Sequence, residues 1–316
     1  MKKLSRRQFV KILSVGFLSG IFLELFSRAG LSHVFAAKSN ARPKKNIKGL
    51  HDLVVVKGAD PALITRKAVE GLGGMEKFVK KGATVVIKPN IAWDRAPEYA
   101  ANTNPEVVAA LVQMCYEAGA KRVNVFDIPC NSPERCYENS GIKKAALEKG
   151  AKVYFCDSWN FVKAAFTYKS PMEGWPIFRD AIECDTFINC PVLKHHGLTE
   201  LTLSMKNLMG VCGGSRGLIH IDIARKLVDI TDFISPDLTV IDAYRILTRH
   251  GPSGGDLKDV NLARTVIAGT DPTLADAYAA KFAGKEPMTI SYIKEAVQRK
   301  FGSADISAAD ILEVNV

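Results

Sequence analysis

The chain has 316 residues, of which 47% are hydrophobic and 24% charged, and its formal net charge is +10 at neutral pH. Residues 1–36 carry six of the basic side chains and one acidic side chain, which leaves a net charge of about +5 on the remainder. This mild basicity suits small anionic ligands or an anionic surface. No run of lysine and arginine with interleaved aromatic residues is present, which argues against nucleic acid as a partner.

The N-terminus has the pattern of a twin-arginine export signal. A basic start is followed by SRRQFVK at 5–11 and then by a moderately apolar run from Ile12 to Leu23. This run is shorter than the ~20 residues that span a bilayer. We therefore expect a cleaved signal peptide over residues 1–36, the twin-arginine translocase as a partner, and a periplasmic or otherwise extracytoplasmic location. An uncleaved signal that acts as a membrane anchor is the alternative.

The rest of the chain divides into a linker and one domain. Residues 37–48 are polar and are predicted to be a linker. Residues 49–316 are numerous enough for a domain with a proper hydrophobic core. The twin-arginine route exports proteins that are already folded, often around a cofactor, which gives a reason to look for one.

Short apolar runs alternate with helical stretches, which predicts an α/β fold with a mostly parallel, doubly wound sheet flanked by helices. The predicted strands cover 53–56, 82–88, 123–127, 152–156, 186–191, 238–242, 264–268 and, at an edge, 311–314. The predicted helices cover 61–72, 105–118, 141–149, 199–210, a stretch from 271 onward, and 290–300. The irregular stretch 166–175 predicts a hairpin or an excursion of the chain rather than a new domain.

Several predicted strands are followed directly by chemically reactive side chains. Ligands bind beyond the carboxyl ends of the strands in a doubly wound sheet, so we expect a site at this edge. The side chains concerned are Lys88, Asn90, Asp127, Lys194, His195, His196 and Asp242.

Residues 193–210, LKHHGLTELTLSMKNLMG, contain a candidate amphipathic helix. Leu201, Met205 and Leu208 have the spacing of one buried helical face, with Thr199 as a plausible N-cap and Gly210 as a stop.

The polar residues at the two ends of this stretch have two interpretations. Lys206 and Asn207 are either ordinary residues of a last helical turn or part of a binding site. With a full helix between them, the two ends, Lys194 with His196 and Lys206 with Asn207, are about 15 Å apart. A small ligand would then touch both ends only if the helix were shorter.

A glycine-rich segment, GVCGGSRG at 210–217, follows. Its backbone beside Arg216 is suited to presenting N–H groups to phosphate or carboxylate, and a flexible surface loop is the alternative. The segment matches neither a P-loop nor a dinucleotide-binding fingerprint. His220 and Asp222 come next and have side chains suited to a metal.

The seven cysteines contain no CxxC pair. Cys115, Cys156 and Cys184 lie in apolar periodic segments and are expected to be buried. The others fall near predicted strand ends and loops, where they are inert or disulfide-bonded in one interpretation and bind an iron–sulfur cluster or a single metal in another. These four are Cys130, Cys136, Cys190 and Cys212.

With these residues assembled, the chain resembles the domain-of-unknown-function family 362. The matching segments include VVIKPN at 85–90, TNPEVVAALVQMCYEAGAKRVNVFD at 103–127, INCPVLKHHGLTELTLSMKNLMG at 188–210, VIDAYRILTRHGPSGG at 240–255 and AGTDPTLADAYAAKFAG at 268–284. The resemblance places these residues at motif positions: Lys88, Pro89, Asn90, Lys194, His196, Lys206, Asn207, Gly210, His220, Asp242, Gly251, Pro252, Gly255, Asp271 and Asp276. It favours a functional role for Lys206 and Asn207. Some members resemble iron–sulfur proteins with ferredoxin-type cysteine motifs, which this sequence lacks.

Two main hypotheses follow. In the first, the protein is an exported enzyme or binding protein whose pocket holds a small anionic ligand, with His196 or His220 as acid or base and Asp242 as its orienter. The ligand-binding residues would be Lys88, Asn90, Lys194, Lys206, Asn207 and Arg216. In the second, it is a redox or metal protein that uses the four cysteines or the histidines. An envelope interaction protein without chemistry is a third interpretation.

Overall fold

The computed structural model describes residues 39–316. The predicted signal peptide, residues 1–36, lies outside the described residues. Within the described part, none of the helices combines the length and apolar character that a membrane crossing requires.

The described part contains twelve strands and nine α-helices. The strands are β1 Leu53–Lys57, β2 Thr84–Pro89, β3 Arg122–Val125, β4 Lys152–Val153, β5 Phe161–Lys163, β6 Pro176–Phe178, β7 Thr186–Cys190, β8 Val192–His196, β9 Glu200–Thr202, β10 Leu238–Leu247, β11 Val260–Gly269 and β12 Ile311–Asn315. The helices are α1 Pro61–Gly71, α2 Pro105–Glu117, α3 Pro133–Asn139, α4 Ile142–Glu148, α5 Arg179–Glu183, α6 Ser204–Asn207, α7 Ile223–Ile234, α8 Pro272–Phe282 and α9 Ser291–Gln298.

One large sheet organises the domain, with the strand order β12-β1-β11-β10-β7-β2-β3-β4. Strand β11 is antiparallel to both of its neighbours, and the other pairs along this path are parallel. The predicted α/β fold with a mostly parallel sheet is therefore confirmed. The predicted edge strand near the C-terminus is β12, which pairs with β1.

Helices cover both faces of the sheet, as a doubly wound arrangement requires. One core cluster joins residues of α1, α2 and α4, such as Ile64, Val107 and Ile142, to one face. The other joins α7 and α9, through residues such as Phe233 and Tyr292, to the opposite face. Strands β2 and β7 are buried along almost their whole length, which explains their continuous apolar sequences.

The predicted helix over 199–210 is correct only in its second half, and its first half is wrong. Residues 192–202 instead form a hairpin in which Lys194 pairs with Thr202 and His196 with Glu200. Helix α6 is confined to Ser204–Asn207 and continues as a 3-10 turn over Leu208–Val211. The β-branched Thr202 favours the extended conformation of β9, where apolar spacing alone suggests a helix.

Other departures concern lengths and missed elements. Helices α3 and α7 were not predicted, and the predicted hairpin around 166–175 is flanked by the paired strands β5 and β6. Strand β10 extends to Leu247, well beyond the predicted end at 242. This extension moves Asp242 from a strand end into the middle of a strand.

Candidate functional site

A cavity of about 510 Å³ lies at the carboxyl ends of β2, β3 and β8. Its volume is typical of small-molecule sites. All six residues predicted to bind a ligand line it, together with both predicted histidines and one of the candidate cysteines. The lining residues with polar or charged side chains are Lys88, Asn90, Asp127, Cys130, Lys194, His196, Thr202, Lys206, Asn207, Arg216 and His220.

Asn207 holds the cavity floor together. Its Oδ1 accepts hydrogen bonds from Lys88 Nζ at 2.9 Å and from Asn90 Nδ2 at 3.1 Å. Its Nδ2 donates to the Lys88 carbonyl at 3.1 Å and to Asn189 Oδ1 at 2.8 Å. The buried side chain thereby uses its full hydrogen-bonding capacity, and it ties α6 to the ends of β2 and β7.

Lys88 and Asp127 form a buried ion pair beside this network. Their side chains are only 1% and 2% exposed, and Lys88 Nζ lies 2.8 Å from Asp127 Oδ1. The backbone N–H groups of Ile91 and Ile128 donate to the same carboxylate at 2.7 and 2.9 Å. Burial lowers the pKa of Lys88, and the charge of Asp127 opposes this shift.

Gly210 allows its backbone to pass directly over this ion pair. A Cβ atom at this position would lie 1.8 Å from Asp127 Oδ1 and 2.6 Å from Lys88 Nζ. The Gly210 carbonyl also accepts a hydrogen bond from Ile128 at 3.1 Å. Any larger residue would therefore displace the floor of the cavity.

Two further lysines open on the same cavity, and among residues 39–316 neither has a carboxylate partner. Lys194 is 1% exposed and donates to Asn90 Oδ1 at 3.1 Å and to the Ala101 carbonyl. Lys206 is 8% exposed, and its Nζ lies 3.4 Å from the Met209 sulfur. Burial lowers the pKa of Lys194 to about 7 and that of Lys206 to about 8.

Arg216 adds a fourth cation from the glycine-rich segment. Its guanidinium donates to the backbone carbonyls of Ile128, at 2.7 Å, and Pro129, which orients the side chain toward the cavity. Among residues 39–316, Asp127 is the one carboxylate in the lining. When all four cations are protonated, the described lining therefore carries an excess of positive charge.

The backbone fixes different tautomers for the two predicted histidines. His196 Nδ1 accepts hydrogen bonds from the N–H groups of Leu198 and Thr199 at 3.1 and 3.3 Å, so in the neutral ring the proton is on Nε2. His220 Nδ1 faces the Gly217 carbonyl at 3.2 Å and must donate to it, which leaves Nε2 as an acceptor. The ring centroids are 6.3 Å apart.

The electrostatics of the cavity keep both rings neutral. Burial, with the nearby charge of Lys206, lowers the pKa of His196 to about 3, and the same two causes lower the pKa of His220. At neutral pH, His196 is therefore a hydrogen-bond donor through Nε2, and His220 is a proton acceptor through its own Nε2.

The expectation that Asp242 orients a catalytic histidine is corrected by its contacts. Its carboxylate is buried and accepts hydrogen bonds from the backbone N–H groups of Asn104, at 2.7 Å, and Tyr244, at 2.9 Å. It does not line the cavity. Asp242 instead connects the middle of β10 to the start of α2, which is a structural role.

The four candidate cysteines do not assemble into a ligand set. All are free thiols, and three are buried: Cys136 and Cys190 in one core cluster and Cys212 in the other. Only Cys130 is exposed and lines the cavity. Across residues 39–316, no three His, Cys, Asp or Glu side chains are grouped as a metal site would require. These side chains do not fit an iron–sulfur cluster or a single metal.

Helix α6 is held in place from outside the cavity. Both carboxylate oxygens of Asp276 accept backbone hydrogen bonds at the start of the helix, from Ser204 at 2.7 Å and Met205 at 3.1 Å. Asp271 caps α8, the helix that carries Asp276. These two motif residues therefore position Lys206 and Asn207 without contacting a ligand.

Some residues of the site were missing from the sequence-based list. The sequence pattern places Asp127 at a strand end but does not indicate that it neutralises Lys88. Asn189 lies inside a buried strand, where an asparagine needs polar partners, and this was the available signal. Trp93 and Met209 also line the cavity and had no distinguishing pattern.

The fold and the cavity together define an α/β protein with a cavity at the carboxyl ends of its parallel strands, where ligands bind in such folds. The chain belongs to the family described as "Domain of unknown function (DUF362)", whose model matches residues 85–281. It is 29% identical over 254 residues to the thylakoid-associated protein sll1697 of Synechocystis sp., an alignment covering 75% of this chain and 74% of that protein.

A partial structural likeness was also found. It is to the lactate racemase apoprotein from Thermoanaerobacterium thermosaccharolyticum, with a TM-score of 0.45 and 12% sequence identity. The likeness covers 76% of this chain and 58% of that one, so the chain spans less than two thirds of that protein's length.

Proposed function

We propose that this protein binds a small anionic ligand in the cavity at the carboxyl ends of β2, β3 and β8. The observation that carries the proposal is the pair Lys194 and Lys206, two buried lysines that open on one cavity and have no carboxylate partner among residues 39–316. An unpaired buried charge costs several kcal/mol unless a counter-charge binds it. An anion supplies that counter-charge.

The hairpin of β8 and β9 is what makes a single ligand site feasible. It returns the chain to the cavity within a few residues, so Lys194 and Lys206 line the same space, where a full helix would have separated them. Asn90 and Asn207 hold the floor, and Arg216 provides guanidinium N–H groups at one side. His196 Nε2–H adds a neutral donor, and His220 Nε2 is available as a base for chemistry on a bound ligand.

A thermal-shift panel of sulfate, phosphate and small dicarboxylates tests the proposal. At about one hundred times Kd, an anion that binds only the folded state stabilises the parent protein by about 2.7 kcal/mol. For a domain of this size, the midpoint should rise by roughly 5 to 10 °C. Lys206→Met should lose most of this shift while its midpoint without anion stays equal or rises, because the variant no longer buries an unpaired charge.

Lys294→Met is the matched control, since it removes a lysine that is exposed on α9. Sulfate also stabilises proteins non-specifically, and Lys206→Met measures that background. Equal shifts in the parent, Lys206→Met and Lys294→Met would contradict an anion site at Lys206.

We further propose that residues 1–36 direct the protein through the twin-arginine translocase to an extracytoplasmic location. The supporting observations are the SRRQFVK pattern at 5–11 and the name of the Synechocystis relative, which describes that protein as thylakoid-associated. Such a location brings the cavity into contact with extracytoplasmic anions.

Replacing Arg6 and Arg7 together by lysine tests the export proposal in the full-length chain. The charge is kept while the recognised pair is lost, so we expect the protein to accumulate in the cytoplasm. Fractionation with immunoblotting measures this, and Lys2→Arg with Lys3→Arg is the control. Unchanged export of the Arg6→Lys, Arg7→Lys variant would contradict the proposal.

A further inference from the structure

The cavity has two zones with different chemistry. The floor, formed by Lys88, Asp127, Lys194 and Asn207, is buried and charged. Toward the mouth, the lining becomes half-buried and largely apolar, through side chains such as those of Trp93, Ile128, Met209 and Pro252. A ligand that fills both zones therefore meets charge at one end and apolar surface at the other.

Three large aliphatic side chains next to the mouth are exposed. Leu198, Leu218 and Ile221 are 62%, 53% and 66% exposed in the described structure. The Leu198 N–H donates to His196, and the other two flank His220 in the chain. The two histidine rings line the cavity with their centroids 6.3 Å apart, so the three aliphatic residues belong to chain segments that meet at this part of the lining. We call these three residues the apolar rim.

The apolar rim continues the apolar zone of the cavity into solvent. A single exposed leucine needs no explanation, but exposed apolar side chains grouped beside a pocket are typical of ligand-binding grooves. Among the half-buried lining residues next to it in the chain, His196 and His220 are neutral at physiological pH, and Arg216 is the one cation.

We infer that the ligand is an anionic amphiphile, with its charged head at the buried lysines and an aliphatic chain that leaves the cavity over the apolar rim. The inference rests on the proposed anion site, because the lysines hold the head. The shared chemistry is a phosphate or carboxylate head on an alkyl chain, either free in solution or presented by a lipid bilayer.

Affinity for monoalkyl phosphates of increasing chain length tests this inference. Each methylene that leaves water contributes about 0.8 kcal/mol, or roughly a fourfold gain in affinity. We expect decyl phosphate, below its critical micelle concentration, to bind the full-length protein at least about one hundredfold more tightly than ethyl phosphate, measured by isothermal titration calorimetry at pH 8.

The double variant Leu218→Ser, Ile221→Ser separates the two zones. Both residues are exposed, so the fold should be retained, and affinity for ethyl phosphate should be unchanged. The gain in affinity from ethyl to decyl phosphate should be at least about tenfold smaller than in the parent protein. Leu63→Ser removes an exposed leucine on α1, 42% exposed, and is the matched control that keeps the full gain.

The possible results are distinguishable. Ethyl phosphate binding that is lost in Lys206→Met, with no gain for decyl phosphate, would overturn the amphiphile inference and leave the anion site standing. Failure of both phosphates to bind would overturn both the anion site and the amphiphile inference. Sedimentation with phosphatidylcholine vesicles, with and without phosphatidic acid, identifies the source of the amphiphile. Binding only to vesicles that contain phosphatidic acid supports a bilayer lipid. Binding only to free decyl phosphate supports a soluble amphiphile.

Discussion

Lys88→Met is expected to destabilise the protein by about 3 to 5 kcal/mol, because it leaves the Asp127 carboxylate buried without its counter-ion. The Lys88 ammonium lies 2.8 Å from that carboxylate and also donates to Asn207 Oδ1 at 2.9 Å. Methionine keeps the apolar stem of the side chain and removes only the charge. Equilibrium urea denaturation, followed by circular dichroism, measures the change in the free energy of unfolding.

A double-mutant cycle with Asp127→Asn assigns this loss to the ion pair. The variant with both substitutions should be more stable than the sum of the two single losses predicts, by about 2 kcal/mol or more. Additive losses would show that Lys88 and Asp127 do not depend on each other, which would contradict the buried ion pair as the base of the cavity.

Gly210→Ala is the second substitution with a large expected effect. The new Cβ would lie 1.8 Å from Asp127 Oδ1, so the ion pair or the 3-10 turn over 208–211 must move. Overpacking of this kind typically costs about 1 to 3 kcal/mol. Disturbing the ion pair adds to this cost. We therefore expect the free energy of unfolding to fall by about 3 to 5 kcal/mol in total, again measured by urea denaturation.

Gly217→Ala provides the matched control for this substitution. Gly217 also lines the cavity, but a Cβ there would meet no atom within 4 Å. We expect the free energy of unfolding of this variant to differ from that of the parent by no more than about 0.5 kcal/mol. Similar stability of the two alanine variants would show that Gly210 is not needed for close approach of the backbone to the ion pair.

The sheet edge that carries the site could be predicted from the sequence because parallel strands end on the same side. Lys88 and Asn90 at the end of β2, and Lys194 and His196 shortly after the predicted strand 186–191, followed from strand positions alone. The structure brings them to one cavity.

The rest of the site depends on contacts that the sequence does not contain. Apolar spacing at Leu201, Met205 and Leu208 fits a helix as well as a hairpin followed by a short helix, and tertiary packing decides between them. The length of β10 likewise determines the contacts of Asp242. The strand continues past this residue, and its carboxylate accepts hydrogen bonds from backbone N–H groups.

The environment of the cysteines also depends on tertiary contacts that the sequence does not contain. Their positions near predicted strand ends allowed a cluster, yet three of the four candidates are buried free thiols, divided between the two core clusters on opposite faces of the sheet. Burial raises the pKa of Cys136 to about 11 and that of Cys212 to about 12, so these thiols stay protonated at physiological pH. They behave as small hydrophobic residues of the core.

The buried lysines also predict how binding depends on pH. In the free protein, the pKa values of Lys194 and Lys206 are lowered to about 7 and about 8. At pH 8, Lys194 is therefore mostly neutral and Lys206 is about half protonated. A bound anion favours the charged forms and raises both pKa values, so binding must take up protons.

Calorimetric titration with sulfate at pH 8, in buffers of different ionisation enthalpy, tests the anion site most directly because sulfate itself does not titrate there. The proposed site predicts binding with an uptake of about 0.5 to 1.5 protons, which decreases in Lys206→Met and is unchanged in Lys294→Met. Absence of binding, or binding without proton uptake and with equal affinity in all three proteins, would contradict it.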